Sequence, residues 1–210
     1  MKILHTADWH LGQTFYEYDR REEHFHFLEW LKQQIKQHEI DVLLIAGDVF
    51  DSPNPSAESQ RVYYRFLREV TSENPSLQIV IIAGNHDSAA RLEAPNPLLE
   101  DMNIIVRGTV RRNAEGDIDL QHFIVPLYTE GKVTAYCLAV PYLRQGDYPS
   151  AENYSKGVQQ LYEQLFNKVK EKGIPVVAMG HLQATGSEIS EDDRSERTVI
   201  GGLECVSPDA

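Results

Sequence analysis

Short aliphatic runs alternate along this chain with longer stretches in which apolar residues recur every three or four positions. Residues 2–7 form a short apolar run ending at Asp8-Trp9-His10, which predicts a strand delivering a loop. Over residues 20–38, Phe25, Leu28, Leu31 and Ile35 fall at near-heptad spacing, predicting a helix with one apolar face. Residues 42–46 are uninterrupted Val, Leu, Ile and Ala closed by Gly47-Asp48, the composition of a strand buried on both faces. Asp51-Ser52-Pro53-Asn54-Pro55 is loop chemistry leading into a helix over 56–70. Residues 79–83 repeat the buried-strand pattern and end at Gly84-Asn85-His86-Asp87, with short helical pieces expected over 88–102. From 104 to 140 there are β-branched runs, a turn at 113–117 and no long helical period, so antiparallel strands and hairpins are predicted. A helix over 153–171 precedes a last strand over 175–179, closed by Gly180-His181. Residues 188–196 are acidic and polar and read as a solvated, mobile loop.

This order of elements points to an α/β fold with an antiparallel portion in its second half. A chain of 210 residues supports one sizeable core, so residues 1–210 are read as a single domain. With 41% apolar and 25% charged residues, the composition is that of a globular protein. No window approaches 18 uninterrupted apolar residues, and the N-terminus reaches Asp8 without a signal-like stretch, so no membrane association is expected. Cys137 and Cys205 lie far apart, outside any metal-ligand spacing, which suits a reducing cytoplasm. The charge balance is 20 − 32 = −12. Bulk charge of that sign does not hold nucleic acid, so any such contact must be local or shared with a partner.

Four predicted strands end in residues able to hold metal: Asp8 and His10, Asp48, Asn85 and His86, and His181. In open α/β sheets, functional loops gather at the carboxyl ends of strands. Carboxylate, imidazole and amide oxygen without thiolate suit Mn²⁺, Fe or Mg²⁺ and accept Zn²⁺. Asp8 and His10 can grip one ion across Trp9. Asp48 follows Gly47, whose missing side chain lets backbone pass close to a metal, and a carboxylate there can bridge two cations. Singly, these pieces have plainer readings: an Asp after a strand caps helices, and Asp-x-His arises by chance. Gly-Asn-His-Asp after a buried strand is more specific, because a simple turn favours Asn-Gly or Asp-Gly. The chain contains no P-loop, no Gly-x-Ser-x-Gly and no catalytic cysteine context.

The succession Asp8-x-His10, Gly47-Asp48-x-x-Asp51, Gly84-Asn85-His86-Asp87 and Gly180-His181 resembles the calcineurin-like metallophosphoesterase superfamily. The strings ILHTADWHLGQ, IAGDVFDS, IAGNHDSAARL and GGLECVSPDA are similar to its bacterial DNA-repair nuclease branch, related to eukaryotic double-strand-break repair nucleases. The resemblance covers residues 2–210. It implies a mixed β-sandwich flanked by helices. It also implies two divalent ions, Mn²⁺ first with Mg²⁺, Fe or Zn²⁺ as alternatives. Asp8 and His10 would bind one, Asn85 and His181 the other, and Asp48 would bridge. His86 would donate a proton to the leaving 3′-oxygen or stabilise developing charge, against the plainer role of orienting Asp87 or a ligand. The implied activity is DNA phosphodiester hydrolysis, 3′→5′ exonucleolytic on double strands and endonucleolytic on single strands or hairpins, with an ATPase subunit as partner.

There are departures from the family pattern. A final Gly-His-x-His following a further strand would give one histidine to each metal, and none of the eight histidines fits it. The chain therefore reads as an N-terminal piece without that motif, the rest of the sandwich, the DNA-capping domain and the ATPase-docking segment, and little activity is expected of it alone. Asp51 stands where archaeal and eukaryotic relatives carry histidine, so a histidine relay does not transfer. His5, His24, His26, His38 and His122 match no family ligand. Arg20, Arg21 and Arg91 follow metal loops and could meet phosphates, against the alternative of solvated pairs on helix faces.

Val62, Phe66 and Val70, with Tyr63 and Leu67 beside them, make a wider apolar face over 56–70 than packing on one sheet requires. Leu92, Leu98, Leu99 and Met102 extend it over 92–102. Related nucleases dimerise through these helices, so a homodimer is expected, the alternative being that both helices cover their own sheet. Two other readings stay open: a metallophosphoesterase acting on a nucleotide, phospholipid or phosphoprotein, and a non-catalytic dimerisation module.

Overall fold

The computed structural model describes residues 1–184 and 205–206. The first half runs β1 (Ile3–Thr6), β2 (Thr14–Phe15), β3 (Tyr18–Asp19), α1 (Arg21–His38), β4 (Val42–Ala46), α2 (Ala57–Glu73) and β5 (Gln78–Ile82). It continues through α3 (Ala89–Glu93), α4 (Asn96–Leu99) and β6 (Ile104–Arg107). The second half has α5 (Leu120–Phe123), β7 (Ile124–Thr129), β8 (Lys132–Ala139), α6 (Tyr154–Val169), β9 (Val176–Met179) and a short pair, β10 (Gln183–Ala184) with β11 (Cys205–Val206). The acidic segment 188–196 lies outside the described residues.

The uninterrupted apolar runs form the centre of a parallel sheet of order β1-β4-β5-β6. Strand alternation explains why they carry no polar positions. Leu43, Ile45, Ile79 and Ile81 face Leu31, Ile35, Phe66 and Leu67 of α1 and α2. From the opposite face, Val42, Leu44, Val80 and Ile82 meet Val125, Leu127, Cys137 and Met179 of a second sheet, β7-β8-β9. In that sheet β7 and β8 are antiparallel and β9 runs parallel to β8. Its outer face is covered by Val158, Leu161, Leu165 and Val169 of α6. The result is a mixed sandwich between helical layers. Ser56 caps α2 by accepting from Ser59 N–H at 3.0 Å, and Asn153 caps α6 by accepting from Lys156 N–H at 2.9 Å. No helix among the described residues is long and apolar enough to cross a membrane.

Two expectations are corrected. Residues 104–107 fall in the stretch predicted to be antiparallel but pair in parallel with β5. α3 and α4 form a crossover that returns the chain to the starting edge of the sheet, and such a connection makes the next strand parallel. The hairpin character begins only at β7–β8, turned by Glu130 and Gly131 with φ of 51° and 75°.

The wide apolar face of α2 is not left over for a second copy. Phe66 meets the edge of Trp9 at 5.3 Å, Tyr63 packs on Phe50 at 5.3 Å, and Val62, Leu67 and Val70 are buried in the same cluster. The loops following β1 and β4 cover the flank of α2 that the sheet leaves bare. Leu92 and Leu99 join this core and Met102 packs against it, while Leu98 stays 75% exposed.

Candidate metal centre

The ends of β1, β4, β5 and β9 meet at one edge of the sandwich. The first loop is zipped onto the second by backbone bonds: Asp8 N–H to Gly47 carbonyl at 3.1 Å, His10 N–H to Asp48 carbonyl at 3.0 Å and Leu11 N–H to Val49 carbonyl at 3.0 Å. Trp9 is buried, donates Nε1–H to Thr6 Oγ1 at 3.0 Å, and leaves its two neighbours at the site. Asp8, His10 and Asp48 all take left-handed backbone angles, with φ of 56°, 46° and 49°. Each such non-glycine residue costs roughly 1–2 kcal/mol. Strain of this kind concentrates where surrounding contacts over-determine a functional geometry.

Gly47, at φ +90°, has a different purpose from the one expected. A Cβ there would run into the His181 ring and come within 2.9 Å of Gly84 Cα. The missing side chain thus admits an imidazole from the second sheet and the neighbouring loop. Gly84 is equally confined, because a Cβ on it would collide with the Asp48 carboxylate.

Asp48 is buried at the middle of the cluster. Its Oδ1 accepts from His86 N–H at 2.9 Å, and its Oδ2 lies 3.5 Å from His181 Nε2 and 3.8 Å from His10 Nε2. His181 donates Nδ1–H to the Ala46 carbonyl at 2.9 Å and turns Nε2 to Asn85 Oδ1, also at 2.9 Å. Asp8, Asp48 and His181 offer ligand atoms that all lie within 4.8 Å of one another. The structure therefore brings Asp8, His10, Asp48, Asn85 and His181 together.

Burial disfavours the charged forms here, but the groups offset it for one another. Burial pushes the Asp48 carboxyl up, and the His181 imidazole with the His86 N–H brings it below the usual range. Burial would lower His181, yet Asp48, the Ala46 carbonyl and Asp8 push it up to about 9. Asp8 is raised by burial and by Asp48, against the pull of His181 and His10.

Two further residues shape the site. Asp87 is buried and accepts from Val49 N–H at 3.2 Å, Phe50 N–H at 3.0 Å and Gly84 N–H at 2.9 Å, so one carboxylate ties the second loop to the third. Burial raises its pKa against those three amide bonds. Asp51 accepts His86 Nδ1–H on its carbonyl at 2.9 Å and sets its carboxylate 3.5 Å from His10 Nδ1. The two imidazoles meet edge to face at 4.9 Å, and His10, Asp51 and His86 form a second group of potential ligands. Sequence reasoning assigns no role to Asp51 and treats Asp87 only as what His86 might orient. The His86 ring bonds to Asp51, whereas Asp87 is engaged by backbone amides. The only signal in the sequence is their place inside the two loop strings.

The arginines named from sequence are held by their neighbours. Arg20 bonds Glu23 at 2.7 Å and Gln13, Arg21 bonds Asp19 at 2.6 Å, and Arg91 bonds Asn54 and the Pro53 carbonyl. This is the pattern of solvated pairs. His5, His26 and His38 are exposed, while His24 and His122 are buried away from the cluster.

The calcineurin-like phosphoesterase family profile matches residues 1–204. The chain belongs to that family. Three similar curated proteins are each named as the SbcD subunit of the nuclease SbcCD. The one from Rhodobacter capsulatus is 41% identical and matches 100% of this chain and 54% of its own length. That from Escherichia coli K12 is 31% identical, matching 97% of this chain and 51% of its length, and that from Bacillus subtilis is 28% identical, at 100% and 53%. The chain spans about half the length of these relatives.

The donor set of this phosphoesterase fits divalent metal ions. His181 Nε2 faces only oxygen atoms of Asp48 and Asn85, so either a proton or a cation must sit between them. His10 Nδ1 and His86 Nε2 are buried without a hydrogen-bond partner, which is costly unless a ligand or substrate satisfies them. Mixed oxygen and imidazole donors without sulfur are those of hard to borderline cations.

Proposed function

We propose that this chain carries the metal centre of a nuclease that hydrolyses DNA phosphodiesters. The observation that carries this reading is the convergence of five oxygen- and nitrogen-donor side chains on the Asp48 carboxylate, in a phosphoesterase whose relatives are named nucleases. Asp8 and His10 would hold one ion, Asn85 and His181 the other, and Asp48 both. Bound at such a site, two divalent ions supply Lewis acidity toward the phosphoryl oxygens and an activated water. Mn²⁺ is the ion proposed, with Mg²⁺, Fe and Zn²⁺ as the competitors to test.

The residues provide the rest. Asp51 fixes His86 Nδ1 as a donor, so Nε2 is the atom left to carry a proton to the leaving 3′-oxygen. Asp87 keeps the Asp48 and Asn85 loops at a fixed separation while charge develops. Exonuclease action of 3′→5′ polarity, endonuclease action on single strands or hairpins, an SbcC-type ATPase partner and a cytoplasmic location follow the names and lengths of the relatives. Pairing of two copies through 56–70 and 92–102 is supported only by Leu98, since the neighbouring apolar residues are used internally.

Metal analysis of the purified protein after Mn²⁺ loading, with cleavage of plasmid DNA compared with a chromogenic phosphate monoester, tests the proposal. Bound Mn²⁺ with DNA cleavage is the expected result. Hydrolysis of the monoester alone would assign the site to another phosphoesterase substrate.

A further inference from the structure

Directly after the metal cluster the chain builds a feature that neither the core nor the chemistry above uses. Gln13 N–H bonds the His10 carbonyl at 2.9 Å, and β2 and β3 then form a hairpin in which Phe15 lies directly opposite Tyr18. Opposed residues of an antiparallel pair project to the same face, so both rings stand on one side of the ribbon. Phe15, Tyr16 and Tyr18 are 58%, 69% and 77% exposed, the densest run of exposed large apolar side chains among the described residues. The Phe15 and Tyr16 rings meet edge to face at 4.6 Å.

The turn is strained as well as exposed. Tyr16 and Glu17 take φ of 46° and 71°, the two left-handed positions of a tight hairpin turn that ordinarily select Asn-Gly. The base is firmly held. Gly12, at φ +96°, packs so close to the first turn of α2 that a Cβ on it would come within 2.6 Å of Ser59 Oγ. Arg21 pairs with Asp19 at 2.6 Å, and Arg20 joins Gln13 to Glu23. A rigid stem thus presents a strained aromatic tip beside His10.

We propose that Phe15 and Tyr18, with Tyr16 at the turn, are a stacking platform for unpaired nucleobases of a DNA strand entering the metal cluster. This rests on the nuclease reading above. The exposed large side chains of the hairpin are all aromatic, and aromatic faces stack on any base without regard to sequence. Five residues separate His10 from Phe15, a reach of at most about 17 Å, so a strand on the platform passes the cluster within a few nucleotides.

Charge also favours bases over phosphates as the group held here. The chain carries a net −12, and the two arginines of the hairpin stem are already paired with Asp19 and Glu23. Attraction to phosphate is therefore weak at this surface, whereas stacking does not depend on net charge. A blunt duplex hides its base faces in its own stack, so the platform selects frayed or single-stranded ends.

Binding of two fluorescein-labelled oligonucleotides to the full-length protein in EDTA, where cleavage is stopped, tests this. One is a blunt duplex and the other the same duplex with a single-stranded tail. Wild type should prefer the tailed form, and the double variant Phe15→Ala/Tyr18→Ala should lose about tenfold in affinity for it with little change for the blunt form. Phe15→Trp/Tyr18→Trp should keep the preference and Phe15→Leu/Tyr18→Leu should not. This comparison stands even if the alanine variant folds poorly. Equal tailed-DNA affinity in the leucine and tryptophan variants would overturn the platform. So would a leucine variant that keeps its DNA affinity but no longer self-associates or co-purifies with an ATPase subunit, since the hairpin would then be a protein contact. A wild-type protein that cuts DNA alongside an unaffected leucine variant removes only the platform. One that neither binds nor cuts DNA removes the nuclease reading, and the platform with it.

Discussion

The imidazole of His181 occupies the space that a side chain on Gly47 would fill. A residue ending a strand of the second sheet thereby reaches the first sheet, bonds the Ala46 carbonyl at 2.9 Å, and brings Nε2 to Asp48 and Asn85. The absence of one methyl group therefore decides whether the second half of the chain contributes to the site at all.

Gly47→Ala should expel His181 and must also hold alanine at φ +90°. The backbone cost alone is roughly 1–2 kcal/mol. Titration calorimetry with Mn²⁺ should show a weakened or missing binding event while far-ultraviolet circular dichroism keeps the native shape. Unchanged stoichiometry and affinity would mean that His181 does not hold an ion.

Removing His86 and removing Asp48 should have different consequences. In the full-length protein, His86→Ala is expected to retain metal and lose ~10²–10⁴-fold in turnover, the range for a general acid. Asp48→Ala should lose both ions, because its carboxylate stands between the two donor groups. Metal loss in the His86 variant would make that residue a ligand.

Asp51 acts through two different atoms, and substitution separates them. Asp51→Ala keeps the backbone carbonyl that orients His86 and deletes the carboxylate beside His10 Nδ1. The expected effect is about 10–100-fold weaker metal binding, the usual loss when the outer partner of a ligating histidine is removed. Asp51→Asn should recover part of it, since an amide oxygen can still accept from imidazole N–H. Affinity equal to wild type in Asp51→Ala would show that the carboxylate is idle.

Acid sensitivity should come from a buried group outside the centre. His122 lies against Glu93 at 3.7 Å, with Arg107 and Arg111 nearby, and burial with those cations lowers its pKa from 6.5 to about 4. The folded state therefore disfavours the proton that the unfolded chain accepts. This contribution is complete above pH 6.5 and is lost as pH falls toward 4, amounting to about 3 kcal/mol at 1.36 kcal/mol per unit. Glu93 acts in the same direction, because Thr109 and Arg111 hold its carboxyl below the ordinary value despite burial. Urea unfolding between pH 4 and 7 should show the slope, and His122→Gln should flatten it. An identical slope in that variant would place the sensitivity elsewhere.

Much of this architecture is legible one residue at a time. Val42–Ala46 and Gln78–Ile82 announce themselves because strands covered on both faces tolerate almost nothing polar, and Ser56 and Asn153 mark helix starts because free N–H groups there need an acceptor. The polar residues after those strands point to one crevice because parallel strands carry their carboxyl ends to a common edge. Other features depend on what approaches from far along the chain. Ile104–Arg107 reads equally well as a parallel or an antiparallel strand until a crossover sets its direction. The apolar stripe of α2 shows its width but not what covers it, and Trp9 and Phe50 arrive to close it. Gly47 reveals only that a side chain is unwelcome, and the ring that excludes it comes from a residue bonded across 135 positions. Asp51 and Asp87 act on neighbouring loops through a backbone carbonyl and backbone amides, groups that every residue carries and that no pattern of side chains can distinguish. Local periodicity determined the elements; contact between distant backbones decided how they became a site.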